Sequence, residues 1–218
     1  MRKRALKKAT CEVMRDFLSA PFPSSESCWD EVEIVSLDFE TSGLDPAQEQ
    51  ILSYGRVDIK NGVIKLSTAR HELVQAEKPI PESSAIIHHI TDDQAEGGRP
   101  IQQVLPELLH SLQGKVLLAH YNKIERGFLD AACRDQYGSP FLIPTIDTLI
   151  LAERILTRRN HTLGPNRLRL FNLRSDFKLP VYKAHNALND AITTAELFLA
   201  LEGEISPNNS TRLKQLMI

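Results

Sequence analysis

One stretch of the chain, EIVSLDFETSGLDP at residues 33–46, constrains the fold more than any other. It begins as an apolar, β-branched run typical of a buried strand, and near the end of that run it carries Asp38 and Glu40. Side chains two residues apart in a strand point to the same face. Two ionised carboxylates beside a packed sheet repel each other and lose hydration. A divalent cation with oxygen ligands, Mg²⁺ or Mn²⁺, would compensate for this cost. The alternative is an exposed strand end with two solvated acids.

The composition is that of a globular protein. The chain has 218 residues, of which 42% are hydrophobic and 25% charged, enough to bury a core without disulfides. The net charge of −2 requires that any nucleic-acid surface be a local patch. The three cysteines show no CxxC spacing, which fits a reducing compartment. Neither an apolar run of membrane-spanning length nor the apolar core of a signal peptide is present, so we expect a cytoplasmic protein without membrane attachment.

The chain divides into three parts by composition. Residues 2–20 show helical spacing of apolar positions with a basic opposite face, and a Ser- and Pro-rich stretch follows. We assign residues 1–30 to a basic N-terminal helix and linker, residues 31–204 to the main domain, and residues 205–218 to a C-terminal tail.

Alternating strand and helix signals predict an α/β fold. After the first strand, QILSYGRVDI and VIKLSTARHELV predict a hairpin with an Asn61-Gly62 turn. Residues 79–100 are irregular and predict one short helix. Further on, KVLLA predicts a strand between two helices, PTIDTLILAERIL a strand passing into a helix, and NDAITTAELFLALE a helix with Asn189 as its N-cap. This order predicts a mixed β-sheet flanked by helices, with an extra N-terminal helix.

Three further residues are candidates for chemistry. Asp190 falls in the first turn of the last helix, where the helix dipole favours an anion. His185 lies in the loop just before it, and an imidazole beside a metal-bound carboxylate is suited to act as a general base toward water. Glu125 falls in the first turns of the helix that follows KVLLA, beside its buried stripe. Taken singly, each has a structural alternative, such as a capping histidine or a solvated acid.

Together these segments resemble the motifs of the DEDDh (DnaQ-like) 3′-to-5′ exonucleases. The resemblance rests on Asp38-Phe39-Glu40-Thr41, on an acid that follows Ala-His at a strand–helix junction, and on His185-x4-Asp190, in the order of the family. It extends over residues 32 to about 202. The segment SAIIHHIT also resembles the family's A-x-x-I-H-G-I-T, with His88 at the histidine and His89 in place of the glycine.

The resemblance implies a ribonuclease H-like fold and a metal-dependent nuclease. Its substrate would be the 3′ end of single-stranded nucleic acid, and its products nucleoside 5′-monophosphates. DNA is favoured over RNA as the substrate, but the residues themselves do not decide between the two. Two Mg²⁺ or Mn²⁺ ions would be held by Asp38, Glu40 and Asp190, with Glu125 acting through water and His185 as the base. Two such ions balance the four carboxylate charges. The implied substrate contacts are Thr41, Leu44, His88 and Tyr121.

The second motif departs from the family pattern. The family has A-H-N-A-x-F-D, whereas this chain has AHYNKIE, with Tyr121 at the asparagine and Glu125 at the aspartate. A carboxylate one methylene longer still reaches a metal-bound water, so we expect activity to persist. The alternative is a catalytically weakened nuclease-fold domain that serves as a nucleic-acid or protein binding module. His120 ends a strand, where a side chain bonds to backbone, and we interpret it as structural.

Basic residues precede the third motif. Residues 158–183 contain a single acid, Asp176, against seven basic residues: Arg158, Arg159, Arg167, Arg169, Arg174, Lys178 and Lys183. They form either a positive wall along a single strand or a solvated surface. The basic N-terminal helix contacts phosphates, binds a polymerase or other protein partner, or does neither. Homodimerisation is left open.

Overall fold

The computed structural model describes residues 1–159, 164, 166–206 and 211–217. Its strands are β1 (Ile34–Thr41), β2 (Ile51–Lys60), β3 (Val63–Leu73), β4 (Val116–Ala119) and β5 (Thr145–Asp147). Its helices are α1 (Arg2–Lys8), α2 (Glu12–Ser19), α3 (Glu82–His88), α4 (Asp92–Glu96), α5 (Ile101–Leu112), α6 (Lys123–Tyr137), α7 (Thr148–Arg158), α8 (Leu170–Asp176), α9 (Ala187–Ile205) and α10 (Leu213–Leu216). No helix in these ranges is both long enough and apolar enough to span a membrane.

In the part of the chain that is described, the strands form one mixed sheet in the order β3-β2-β1-β4-β5. Strand β1 pairs antiparallel with β2 and parallel with β4, which pairs parallel with β5. One face packs against α7 and α9 through a cluster that includes Ile34, Val57 and Phe198. The other face packs against α5 and α6 through a cluster that includes Leu37 and Phe128. The predicted mixed sheet flanked by helices is confirmed.

The N-terminal segment forms two helices, where one continuous helix over residues 2–20 was expected. Helix α1 ends because Ala9 is extended. Cys11 caps α2, and its Sγ accepts a hydrogen bond from the Met14 N–H at 3.5 Å. This break lets Ala5 and Phe17 both reach the core. Helix α2 then packs on α5.

The hairpin between β2 and β3 turns at Asn61 and Gly62, as predicted. Both residues are left-handed, with φ of 53° and 68°, which is the backbone of a type I′ turn. The irregular segment that follows contains two short helices, α3 and α4, where one was expected. His89, with φ of 59°, ends α3, and the Thr91 side chain caps α4.

Helix α9 starts earlier than predicted. Its cap is Asn186, whose Oδ1 accepts a hydrogen bond from the Asn189 N–H at 3.1 Å, so the prediction of Asn189 as the cap was wrong. Asp190 nevertheless remains in the first turn.

The C-terminal residues that are described pack against the body of the protein. Leu213 and Leu216 are fully buried, and Met217 bridges to Ile146 in β5. Residues 207–210 and 218 of the expected tail lie outside the described residues. The division at residues 30 and 204 stays a prediction.

Candidate active site

The end of β1 presents two carboxylates toward α9. In this strand Leu37 and Phe39 point into the core beneath α5 and α6, so Asp38 and Glu40 point to the opposite face. Ser36, on the same face, donates a hydrogen bond from Oγ to the Ala191 carbonyl of α9 at 2.7 Å. The strand therefore delivers both acids directly below the start of that helix.

Helix α9 adds a third carboxylate. Asp190 lies in the first turn, and its Oδ2 accepts a hydrogen bond from the backbone N–H of His185 at 2.9 Å. Carboxylate oxygens of Asp38, Glu40 and Asp190 all lie within 4.8 Å of one another. The structure thus brings Asp190 to two acids that precede it in the sequence by about 150 residues.

Glu125 lies in the first turn of α6 and is buried, with 2% of its surface exposed. The sequence placed it beside the buried stripe of the helix, and the structure places it within the interior. Its Oε2 has no hydrogen-bond partner among the described residues. Its negative charge contributes to raising the pKa of Asp38, so the two carboxylates face a common region.

Burial and mutual repulsion oppose ionisation of these acids. Burial, followed by the charges of Glu125, Glu40 and Asp190, holds the pKa of Asp38 well above its usual range. Burial, followed by the charge of Asp190, raises the pKa of Glu40 to about 8. Burial, and more weakly the charge of Asp147, raises the pKa of Glu125 to about 8. Burial also raises the pKa of Asp190, although the His185 N–H works in the opposite direction.

These groups fit a hard divalent cation. All the donors are carboxylate oxygens, the ligand type that Mg²⁺ and Mn²⁺ prefer. A buried carboxylate oxygen without a partner, as at Glu125, carries a cost that a bound cation or its water would remove. A cation would also favour the ionised forms that burial disfavours.

His185 lies exposed in the loop before α9, in a left-handed backbone conformation with φ of 56°. Its ring packs edge-to-face against Phe171 of α8, with centroids 5.5 Å apart. Two hydrogen bonds tie down the loop just before the histidine. Arg174 donates a hydrogen bond to the Tyr182 carbonyl at 3.2 Å, and Asn189 donates one to the Lys183 carbonyl at 3.0 Å.

A cleft of about 760 Å³ opens over the acids. Asp38, Glu40, His185 and Asp190 line it together with an aromatic and apolar wall made of Tyr121, Leu149, Leu168, Leu170 and Phe171. A cleft that combines a carboxylate floor with aromatic walls suits a nucleotide, because bases stack on such rings.

Tyr121 stands at the rim of this cleft. Its side chain is partly exposed and its backbone is left-handed, with φ of 66°. The neighbouring His120 has partners for both ring nitrogens. Nε2 donates to the Leu168 carbonyl at 2.9 Å, and Nδ1 therefore accepts from the Thr148 hydroxyl at 2.8 Å. His120 thus links β4 to the segment before α8.

Three expected substrate contacts lie outside the described lining of the cleft. The Thr41 hydroxyl donates to the Gly43 carbonyl at 2.7 Å, and Leu44 is 79% exposed. His88 is buried, and its Nδ1 accepts from the Ile90 N–H at 3.1 Å. Burial, and then the charges of His89 and His185, lower the pKa of His88, so this ring lies on the side of the site where His185 stands.

The basic residues of the run before the third motif, residues 158–183, have different roles. Arg167 and Arg169 line the cleft, although Arg167 also pairs with Asp176 at 3.1 Å. Arg159 pairs with Glu204, and Arg174 holds the loop that carries His185. Residues 160–163 and 165 of this run lie outside the described residues.

Four residues with a structural part in the site were missed at the sequence level: Gly55, Asn122, Asp147 and Phe171. Asp147 is buried and accepts hydrogen bonds from Tyr121, Asn122 and Leu149. Its position before Thr148, at a strand-to-helix junction, is a recognisable N-cap signal. The contact between Phe171 and His185 has no sequence signal, because it depends on how α8 packs.

Fold and site together define a nuclease of ribonuclease H-like architecture, and comparison with known proteins agrees. Residues 35–198 match the family model described as Exonuclease (RNase_T). The chain is 31% identical over 193 residues to the PolC-type DNA polymerase III of Thermotoga petrophila, covering 88% of this chain and 14% of that protein. It is 30% identical over 174 residues to the DNA polymerase III subunit epsilon of Treponema pallidum, covering 79% and 77%.

Among solved structures, the nuclease domain of 3′hExo, a DEDDh family member bound to rAMP, has the same fold. Its TM-score is 0.67 at 15% identity, over 85% of this chain and 98% of that one. The chain therefore belongs to the exonuclease family, and its assignment to the DEDDh (DnaQ-like) branch is confirmed. It spans only 14% of the length of the PolC-type relative.

Proposed function

We propose that the chain is a metal-dependent 3′-to-5′ exonuclease that acts on single-stranded DNA and releases nucleoside 5′-monophosphates. The observation that carries this proposal is the group formed by Asp38, Glu40 and Asp190, whose oxygens lie within 4.8 Å of one another at the floor of a nucleotide-sized cleft. One relative is named as a DNA polymerase III and the other as a subunit of DNA polymerase III, which favours DNA over RNA and a polymerase as the partner. The three free cysteines fit a reducing compartment such as the cytoplasm.

In this proposal each acid has a defined place. Asp38, Glu40 and Asp190 would hold two Mg²⁺ or Mn²⁺ ions, and Glu125 would act through water. When bound, the ions supply Lewis-acid stabilisation of the charge on the phosphate. The carboxylates would hold the ions at the floor of the cleft, and a 3′-terminal phosphodiester would bind there.

His185 acts as the general base. Its exposed ring lines the cleft, and the contact with Phe171 limits its orientation. The imidazole takes the proton from the attacking water, a proton transfer for which histidine is the side chain most often used. Tyr121 supplies an aromatic surface for a base, Arg167 and Arg169 face the backbone, and Thr41, Leu44 and His88 border the terminal nucleotide.

Digestion of labelled oligonucleotides tests the proposal. In Mn²⁺ or Mg²⁺, a 5′-labelled strand should shorten progressively, while a 3′-labelled strand should release its label at once as a mononucleotide. EDTA should stop both reactions. Parallel digestion of single-stranded DNA, duplex DNA, RNA and dinucleotides establishes the substrate class. A strand that is bound but remains intact in both metals would instead indicate a binding module.

A further inference from the structure

Gly55 lies directly opposite Asp38 in the antiparallel pair of β1 and β2. Opposed residues in such a pair share a face of the sheet, so a side chain at Gly55 would point, as Asp38 does, toward α9. Gly55 is not among the positive-φ glycines of the described chain. Its backbone therefore does not require glycine, and the reason for glycine must be space.

The space is filled by the main chain of α9. A methyl carbon on Gly55 would lie 2.1 Å from both the carbonyl carbon of Ala187 and the amide nitrogen of Leu188. Real contacts of such a carbon essentially never fall below 3.0 Å. Because the obstacle is backbone, no side-chain rotation relieves the clash. The first turn of α9 or the strand itself would have to move by roughly 1 Å.

The first turn of α9 is seated on the sheet at two points that flank Asp190. Ala187 lies over Gly55 and is fully buried. Ala191, also fully buried, receives the hydrogen bond from Ser36 at 2.7 Å. Asp190 lies between these anchors, so its carboxylate moves with the helix.

We propose that Gly55 is a positioning residue for the metal site: because it has no side chain, the start of α9 lies directly on the sheet and Asp190 comes within reach of Asp38 and Glu40. This inference rests on the proposed function only in taking these acids as metal ligands. Ligand distances in metal sites are fixed to within about 0.2 Å. A displacement of the helix by roughly five times that tolerance would separate Asp190 from the other two acids.

The test compares Mn²⁺ binding by the full chain with and without a methyl group at this position. Gly55→Ala should lower the affinity for Mn²⁺, measured by calorimetry or by electron paramagnetic resonance, by at least about tenfold, as for removal of groups that orient ligands. The rise in Tm that Mn²⁺ causes should shrink in parallel. Wild-type affinity in a folded Gly55→Ala protein would overturn the inference.

Two glycine variants serve as matched controls. A methyl group at Gly98, between α4 and α5, would lie 2.6 Å from the carbonyl carbon of Val74, so Gly98→Ala meets backbone elsewhere in the fold. It should lower Tm in EDTA and leave the Mn²⁺ affinity unchanged. Gly203→Ala, in α9 with nothing within 4 Å, should raise Tm slightly, because alanine favours a helix over glycine, and leave the Mn²⁺ affinity unchanged. Equal losses of affinity in Gly98→Ala and Gly55→Ala would show general loosening and overturn the inference.

Ser36→Ala covers the case in which Gly55→Ala does not fold. It removes the hydrogen bond that seats α9 and adds no bulk, so the helix start gains freedom to leave the sheet. The Mn²⁺ affinity should fall several-fold, and an unchanged affinity would overturn the inference. A wild-type chain that binds no Mn²⁺ would reject the metal site itself, a result distinct from any difference between the variants.

Discussion

Asp147 holds Asn122 through two hydrogen bonds to one carboxylate oxygen. Oδ2 accepts from the Asn122 backbone N–H at 3.0 Å and from its side-chain amide at 2.6 Å. Oδ1 accepts from the N–H groups of Tyr121 at 3.0 Å and Leu149 at 2.9 Å. One buried acid therefore joins the end of β5 and the start of α7 to the turn that begins α6, the helix that presents Glu125.

Removal of this carboxylate should destabilise the fold strongly. Asp147→Ala leaves buried N–H donors of the Tyr121–Asn122 turn without partners, each costing about 1–3 kcal/mol. We expect the free energy of unfolding in urea to fall by about 3 kcal/mol or more. Asp45→Ala is the matched control, because Asp45 makes similar turn hydrogen bonds in an exposed loop. A loss no larger than that of the control would contradict the role assigned to Asp147.

The sequence predicts much of this architecture because the relevant signals are local. The alternation in β1 places Asp38 and Glu40 on one face, and Asn61-Gly62 specifies its turn, without knowledge of the rest of the chain. The start of α9 was misplaced because Asn186 and Asn189 are both good caps, and only packing on the sheet decides between them.

Other features could not be predicted because they depend on contacts between distant segments. Nothing near Gly55 in the sequence indicates that α9 will cover it. In the sequence, Glu125 flanks the apolar stripe of its helix. It is buried because β1 and β5 lie alongside that helix, and the sequence of the helix does not show this. The different roles of the arginines in the basic run also depend on the fold. Only there do their partners come into contact: Asp176 with Arg167, Glu204 with Arg159, and the Tyr182 carbonyl with Arg174.

Asp38 and Asp58 are both acids of the sheet. Removal of Asp38 should affect turnover and not stability, whereas removal of Asp58 should affect stability and not turnover. Asp38→Ala should abolish turnover without lowering Tm in EDTA at pH 8, because it relieves repulsion within a group of acids. Turnover is measured on labelled single-stranded DNA, and Tm by circular dichroism. An unchanged rate in this variant would remove Asp38 from the metal site.

Asp58 is the contrasting case. It is buried and pairs with Arg56 at 3.2 Å and Lys115 at 2.9 Å. Asp58→Ala removes the ion-pair partner of Arg56 and leaves Lys115 with Glu33, 3.5 Å away. Stability should therefore fall by about 3 kcal/mol while turnover at low temperature persists. If the two variants behaved alike, acids in this sheet would share one role, and the distinction between paired and metal-binding carboxylates would fail.

The metal-free protein should lose stability as the pH rises. The pKa values of Glu40 and Glu125 are raised to about 8 in the fold, chiefly by burial, from ordinary values near 4.5. The folded state therefore binds more protons than the unfolded state between these limits. The stabilisation that these two protonated carboxyl groups contribute is fully present below about pH 4.5, and it is lost as the pH rises through about 8. In EDTA, the urea midpoint should be higher at pH 6 than at pH 8.5.

A divalent cation should reverse this trend, because it binds the deprotonated carboxylates. The stabilisation by Mn²⁺ should be larger at pH 8.5 than at pH 6. Glu40→Gln provides the internal control, since it removes one titrating group and should flatten the pH dependence in EDTA. A metal-free protein that grows steadily more stable up to pH 8.5, with or without Glu40, would contradict the raised pKa values.

His185 should be separable from the metal ligands. Its contact with Asp190 is made by the backbone N–H, which a substitution retains. Asparagine tolerates the left-handed backbone at this position, so His185→Asn removes the imidazole with little strain. Turnover should fall by about 10²–10⁴-fold, with the Mn²⁺ affinity nearly unchanged. His110→Ala, on α5, should leave turnover intact, and a twofold loss in His185→Asn would transfer the base role to another group.

Glu125 offers a direct test of the departure from the family motif. Its buried carboxylate has an unpartnered Oε2 and lies with Asp38, Glu40 and Asp190 in one field of negative charge. Glu125→Gln keeps the shape and removes the charge, so the single-turnover rate should fall by about 10²-fold or more while Tm in EDTA rises. Glu125→Asp restores the family's usual residue and should keep the rate within about tenfold, with an altered preference between Mg²⁺ and Mn²⁺. Glu153→Gln, an exposed acid lining the same cleft, is the matched control and should change neither quantity. If Glu125→Gln retained full activity, the interior charge would serve no catalytic purpose and the fourth carboxylate would have to be sought elsewhere.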